Sequence, residues 1–225
     1  GYICISRSIE NHLLRQATPT HGLLARVTRG RAAPRWVVYN GVDLDEFKTT
    51  KNRRSLRAEL GLPAEAEVVG CVGRLIAWKG QRVFLHALAK LRPERPRLRG
   101  LIVGAPDPDG EAYARELVEL AHDLGLDGTV IFTGFRADVP DLLRAMDVLV
   151  HTSTSPEPFG RVIIEGMAAG TVVIGTDAGA VPEIIRNGET GLLVSPGDSQ
   201  ALAEAIARVL DNPQERESLR RAACH

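Results

Sequence analysis

Short apolar runs alternate with amphipathic stretches along most of the chain. Runs rich in β-branched residues predict strands at Val68–Val72, Leu101–Gly104, Val130–Thr133, Val148–His151, Val172–Gly175 and Leu192–Val194. Between them, apolar residues recur at helical spacing, as at Tyr113, Leu117, Leu120, Ala121 and Leu124 and at Leu202, Ile206, Val209 and Leu210, the second set preceded by the candidate caps Asp198 and Ser199. This alternation predicts an α/β fold, a doubly wound parallel sheet of the Rossmann type, in which ligands bind beyond the carboxyl ends of the strands.

Residues 1–40 depart from this pattern. Tyr2–Leu14 predicts one strand and one helix, and a basic stretch rich in loop formers follows at 18–35. We therefore predict two units: residues 1–40 are the tail of a preceding domain with a linker, and residues 41–225 are the large domain, truncated at its C-terminal end.

Composition narrows the classes of function. The 225 residues are 44% hydrophobic, which is enough for a substantial core, and 28 Lys and Arg balance 28 Asp and Glu. Without an excess of positive charge we expect no nucleic-acid partner. The cysteines Cys4, Cys71 and Cys224 are far apart and show no zinc-site spacing, which favours a reduced, cytoplasmic setting. The inner face of a membrane is an alternative place within that setting.

The loop after the first predicted strand of the sheet carries two cations. It reads from Gly73 to Gly80 and places Arg74 and Lys79 just before a helix, whose free N–H groups favour anions. This arrangement suits a diphosphate, although two surface cations beside a turn would look the same. Neither a Walker motif nor Gly-x-Gly-x-x-Gly occurs, which removes the usual sequence evidence for an NTPase or a dinucleotide oxidoreductase.

The loop after the fourth predicted strand is more specific. Pro158 and Gly160 precede a helix, so the amides of Phe159–Val162 are free to hold phosphate oxygens. Glu157 lies before this helix and Glu165 within it, and a carboxylate accepts hydrogen bonds from sugar or ribose hydroxyls. Two solvated glutamates are the alternative, but Glu165 sits among apolar residues.

Together these motifs resemble the retaining GT-B glycosyltransferases of the large family 4 group, which contains sucrose and trehalose synthases. The resemblance is carried by Asn40-Gly41-Val42-Asp43, Gly73-Arg74-Leu75 with Lys79-Gly80, Thr133-Gly134-Phe135, the Glu157/Glu165 pair, Thr176 to Glu183, Asn187 to Val194, and Pro196-Gly197-Asp198. It implies a nucleotide-sugar-binding C-terminal domain, and makes residues 1–40 the end of an N-terminal acceptor domain.

The resemblance also implies a role for each site residue. The catalytic set would be Arg74 and Lys79, which clamp the donor diphosphate, and Glu157, which holds the donor sugar. The donor-binding set would comprise Gly73, the backbone of Phe135 and Arg136 against the base, the amides of Phe159, Gly160, Arg161 and Val162 on phosphate, and Glu165 on the ribose. Trp78 and Ala180 depart from the family pattern, which commonly has Glu and Gly there, and the second departure raises a question about loop geometry.

The implied function is transfer of a sugar from a nucleoside-diphosphate sugar to a hydroxyl of a saccharide, lipid or small-molecule acceptor, with retention. The resemblance implies neither a metal nor another cofactor, because Arg74 and Lys79 would take the metal's part at the diphosphate. A sugar-nucleotide epimerase, a phosphorylase and a non-catalytic nucleotide-sugar-binding module remain alternatives. His151 is interpreted as structural more readily than functional, and Glu183 as nearer the sugar than Asp177 or Asp198.

Overall fold

The computed structural model describes residues 2–16, 35–48 and 51–224. The predicted basic stretch is therefore outside the described residues, apart from Arg35. In chain order the strands and helices are β1 Tyr2–Cys4, α1 Arg7–Gln16, β2 Arg35–Val37, α2 Arg53–Glu59, β3 Glu67–Val72, α3 Gln81–Leu91, β4 Leu98–Val103, α4 Glu111–Asp123, β5 Val130–Gly134, α5 Val139–Ala145, β6 Val148–Val150, α6 Arg161–Ala168, β7 Val172–Thr176, α7 Val181–Ile184, β8 Leu192–Val194, α8 Ser199–Asp211 and α9 Pro213–Ala223.

The main sheet has six parallel strands in the order β5-β4-β3-β6-β7-β8. This order confirms the predicted doubly wound α/β fold, because the chain runs outward from β3 to one edge and returns to place β6 on its other side. β4 begins at Leu98 rather than at the predicted Leu101, and Leu98 pairs with Glu67 at the start of β3.

Helices cover both faces of the sheet, so its strands are apolar on both sides. Along β3, Val68 packs into one buried cluster and Val69 into the other, as alternation of side chains requires. Helices α3, α4 and α8 contribute to the cluster that holds Val69, and α5 and α6 to the one that holds Val68.

A buried ion pair between Arg57 and Asp147 attaches α2 to the sheet domain. Arg57 donates to Asp147 at 2.7 Å and to the backbone oxygens of Ala64, Ala66 and Ala145, while Asp147 also accepts from the amide of Val68. Each of the three nitrogens of this guanidinium thus donates at least one hydrogen bond, and a buried charge is tolerated when it is paired and hydrogen-bonded in this way.

The segments 2–16 and 35–39 are joined through β1 and β2, which pair in parallel, whereas Phe47 packs into the buried cluster of the sheet that holds Val68. These segments contact the sheet domain through Ser6, whose Oγ donates to the Pro158 oxygen at 2.7 Å. They also contact Glu183, whose carboxylate accepts from the amides of Arg7 and Ser8 at the start of α1 and from the hydroxyl of Tyr39. Glu183 therefore caps the start of α1, and its approach to a donor sugar stays a prediction. Within the described ranges, no helix has the length and apolar character needed to cross a membrane.

Candidate functional site

The chain reverses its winding direction between β3 and β6, which are neighbours in the sheet. The helix that follows β3 packs into one core cluster, and the helix that follows β6 packs into the other. The two loops that lead to these helices therefore leave the carboxyl edge of the sheet toward opposite faces. A crevice at such a point is the usual ligand site of doubly wound sheets. Both motif-bearing loops lie here.

Lys79 and Glu157 meet across this crevice. The Lys79 Nζ atom lies 2.7 Å from Glu157 Oε2, and the two side chains are 21% and 8% exposed. The centroid of the Trp78 ring lies 4.3 Å from the same ammonium, so Trp78 supplies a cation–π contact to it. Lys79 is therefore held in one place before any ligand arrives.

Charged neighbours keep Glu157 ionised. Burial alone would raise the pKa of Glu157, but hydrogen bonds from His151 and Lys79, together with the Lys79 charge, lower it from 4.5 to about 2. At neutral pH the carboxylate is thus a hydrogen-bond acceptor and not a proton donor.

The loop after β7 supports the backbone of Glu157. Gly179 pairs with Glu157 in a parallel bridge, and the amide of Ala180 donates to the Glu157 oxygen at 2.8 Å. Gly179 has a φ of +64°, and a Cβ there would lie 2.3 Å from that oxygen, so only glycine fits. Ala180 has a φ of −89°, which any residue adopts. The alanine that replaces the family's second glycine is therefore compatible with this loop geometry.

Helix α6 opens onto the same edge with an uncapped first turn. Gly160 precedes it at a φ of +87°, without a side-chain cap, and Arg161 and Val162 begin the helix. The first N–H groups of a helix have no partner within it, and they favour an anion. Phe159 is buried, with its ring centroid 6.3 Å from that of Tyr39, and so anchors the turn.

Glu165 lies one turn into α6 and is half-buried. Its Oε1 atom is 2.8 Å from Arg161 Nε. Burial raises the pKa of Glu165, and the charge and hydrogen bond of Arg161 oppose that effect. Arg161 is itself largely exposed, and an ion pair with such a partner is weak enough to exchange for a ligand.

Other predicted donor residues have different partners in the structure. Arg74 is 62% exposed and pairs with Asp107 at 3.0 Å, in the loop after β4. The predicted pairing of Arg74 with Lys79 on one ligand is therefore not preformed, although an exposed ion pair is weak enough to exchange. Gly73 joins the start of the Arg74 loop to the end of β4, since its amide donates to the Val103 oxygen at 2.9 Å.

The predicted base-binding segment follows β5. Phe135 is 79% exposed, and Arg136 donates from Nε to Asp138 at 2.7 Å. The side chain of Arg136 is thus paired with Asp138, whereas the side chain of Phe135 is open to solvent. Among the described residues, no group of three or more His, Cys, Asp and Glu is placed to hold a metal ion.

His151 makes a contact with Glu157 that the sequence pattern did not predict. Its Nε2 atom lies 2.9 Å from Glu157 Oε2, and its side chain is 3% exposed. The available signal was the polar run His151-Thr152-Ser153 directly after an apolar strand, at the carboxyl edge where ligands bind.

Solved structures similar to this chain include nucleotide-bound proteins. Anabaena Alr3699/HepE in complex with UDP and glucose is 36% identical, with a TM-score of 0.88 over 99% of this chain and 56% of that one. The C-terminal domain of a glycosyl transferase group 1 family protein, LpcC, from Francisella tularensis is 31% identical, with a TM-score of 0.74 over 82% of this chain and 95% of that one.

Curated relatives include two named transferases. The D-inositol 3-phosphate glycosyltransferase of Streptomyces scabiei is 40% identical over 79% of this chain and 41% of its own length. The lipopolysaccharide core biosynthesis mannosyltransferase LpsB of Rhizobium meliloti is 32% identical over 82% of this chain and 54% of its own. The chain thus spans about half the length of these relatives. The family model described as glycosyl transferases group 1 matches residues 52–225, and the chain belongs to that family.

Proposed function

We propose that this chain is the donor-binding half of a retaining glycosyltransferase, which transfers a sugar from a uridine-diphosphate sugar to an acceptor hydroxyl. The observation that carries the proposal is the contact between Lys79 and Glu157 at the winding reversal of the sheet, beside the open first turn of α6. The cation and the free amides suit the diphosphate of such a donor, and the carboxylate suits the hydroxyls of its sugar. Uridine is the base chosen because the Anabaena neighbour was solved with UDP.

The chemistry follows from where charge develops. As the bond between the sugar and the diphosphate breaks, negative charge builds on the leaving phosphate and the sugar gains oxocarbenium character. Lys79, the α6 amides and Arg74, once released from Asp107, stabilise the leaving group, and fixed charges of this kind supply much of the lowering of a barrier. Ionised Glu157 accepts hydrogen bonds from the sugar and orients it, while Glu165 binds the ribose.

The same proposal includes retention, independence of metal ions, the absence of a cofactor, the division at residue 40 and a cytoplasmic location. Retention rests on the resemblance to the family 4 enzymes, and metal independence on the cations that take the metal's place. The acceptor, whether saccharide, lipid or small molecule, would meet the donor at the face supplied by the N-terminal domain, and any membrane contact would be made there as well.

Calorimetry with UDP and UDP-glucose tests donor binding on this chain. Binding of both ligands, with the sugar adding affinity, supports the proposal, and failure of both to bind at millimolar concentration refutes the assignment of the nucleotide. Retention is tested in the full-length protein by the proton NMR coupling constant at the anomeric carbon of the product. A product of inverted configuration would contradict the proposed stereochemistry.

A further inference from the structure

A cluster of buried polar side chains surrounds one oxygen of Glu157. Oε2 accepts from Lys79 Nζ at 2.7 Å, from His151 Nε2 at 2.9 Å and from Ser153 Oγ at 2.9 Å. His151 and Ser153 are 4% and 0% exposed. None of the hydrogen bonds among the described residues reaches Oε1. The protein therefore holds this carboxylate by one oxygen and leaves the other free.

The proton positions in the cluster follow from its distances. An imidazole nitrogen 2.9 Å from a carboxylate oxygen must carry a hydrogen, because two lone pairs at that separation would repel, so Nε2 is the donor. Ser153 Oγ lies 3.1 Å from the same nitrogen and donates its single hydrogen to Glu157, so it accepts from Nε2. His151 Nδ1 is buried without a partner, so the ring's hydrogen bonds are all directed at Glu157 and Ser153.

Lys79 has a second proposed role, at the diphosphate, that His151 and Ser153 do not share. In the proposed donor complex its ammonium faces the diphosphate, which competes with Glu157 for the same charge. His151 and Ser153 are too deeply buried to bind a ligand, and both follow β6, the strand next to β3 in the sheet. His151 and Ser153 can therefore remain hydrogen-bonded to Oε2 when the Lys79 ammonium binds phosphate instead.

We infer that His151 and Ser153 are positioning residues, which hold Glu157 by Oε2 so that Oε1 accepts from a hydroxyl of the donor sugar. This inference rests on the proposed function, since it assigns a purpose to the orientation of the same carboxylate. It predicts that the two residues act on the sugar part of the donor and not on the nucleotide part.

The test is the sugar increment, defined as the dissociation constant for UDP divided by that for UDP-glucose, measured by calorimetry on the purified protein. His151→Leu removes the donor while keeping an apolar side chain of similar reach, and His151→Gln places an amide N–H near the position of Nε2. We expect His151→Leu to lower the increment roughly tenfold, the scale of a lost hydrogen bond to a charged group, with UDP affinity unchanged. His151→Gln should restore most of the increment. A loss of affinity for both ligands alike, or no rescue by glutamine, would show a merely structural role and overturn the inference.

Two further variants keep the outcome interpretable. Ser153→Ala removes one hydroxyl and little volume, so it replaces His151→Leu if that variant does not fold, and it should lower the increment in the same direction. Glu157→Gln separates the two levels of the argument. If Glu157→Gln leaves the increment intact, the proposed role of Glu157 fails, whereas if it abolishes the increment and the His151 and Ser153 variants do not reduce it, only the inference fails.

Discussion

Replacing Glu157 with glutamine should destabilise the protein at neutral pH and have a much smaller effect in acid. Burial favours protonation of Glu157, but the hydrogen bonds from His151 and Lys79 outweigh it and hold the pKa at about 2, against an ordinary value of 4.5. Because the folded-state pKa is the lower one, the unfolded chain binds more protons between these values. The stabilisation is therefore present in full above about pH 5 and is lost as the pH falls through 4.5 toward 2.

The difference between a pKa of 4.5 and one of about 2 corresponds to about 3 kcal/mol of unfolding free energy. Glutamine keeps the shape of the side chain and gives up this ionisation, so the variant should lose a free energy of that order at about pH 7. For a protein of this size, about 2–4 °C per kcal/mol gives a melting temperature lower by about 6–12 °C.

Urea unfolding of both proteins at about pH 7, 5, 4 and 3 measures the effect, because every other titrating group is common to the pair. Glu165→Gln is the matched control. Burial raises the pKa of Glu165 against the opposing effect of Arg161, so ionising it costs folding free energy and this variant should gain stability over the wild type as the pH rises above 4.5. A gap between Glu157→Gln and wild type that is the same at about pH 7 and pH 3 would refute the assigned ionisation.

Three other results are expected. Gly179→Ala should lower both the melting temperature and the affinity for UDP-glucose, because the added Cβ would clash with the backbone of Glu157. Gly188→Ala is the control, since Gly188 also has a positive φ but has nothing within 4 Å of an added Cβ, so this variant should show only the effect of backbone strain. Equal effects of the two substitutions would exclude the predicted clash. Asp147→Asn should destabilise by about 3–5 kcal/mol in urea, because it leaves the Arg57 charge buried without its partner, and a loss below about 1 kcal/mol would contradict the importance of that pair. Chelation by EDTA should leave UDP affinity unchanged, and affinity restored by magnesium after chelation would show that a metal takes part.

Much of the fold was predictable because both faces of the sheet are covered. Strands such as Val172–Thr176 are buried throughout, and the apolar run Val172–Ile174 stands out from the flanking helices. The start of β4 was missed because Arg99 and Gly100 interrupt the apolar run after Leu98. Gly100 is required there, since a Cβ would lie 2.5 Å from Leu88 of α3, a contact that only the packed fold reveals.

The site was predictable as a set of loops and not as a set of contacts. Motif spacing placed Lys79 and Glu157 at one edge of the sheet, but the 2.7 Å contact between them joins residues 78 positions apart and depends on the strand order. The pairing of Arg74 with Asp107 spans two loops that no motif links. His151 was interpreted as structural more readily than functional because an isolated histidine in a sequence does not show its partner, which here is Glu157.

The contact between Glu183 and the start of α1 has a consequence for protein engineering. Arg7, Ser8 and Tyr39 each donate one hydrogen bond to this carboxylate. Glu183 comes shortly after Gly179 and Ala180 in the chain, the loop that supports Glu157. A chimaera that joined the sheet domain to a foreign acceptor domain at residue 41 would remove all three and leave the supporting loop without its outer attachment. The transferable module is therefore larger than the six-stranded sheet, and a graft should carry α1 and β2 along or supply two free helix amides in their place.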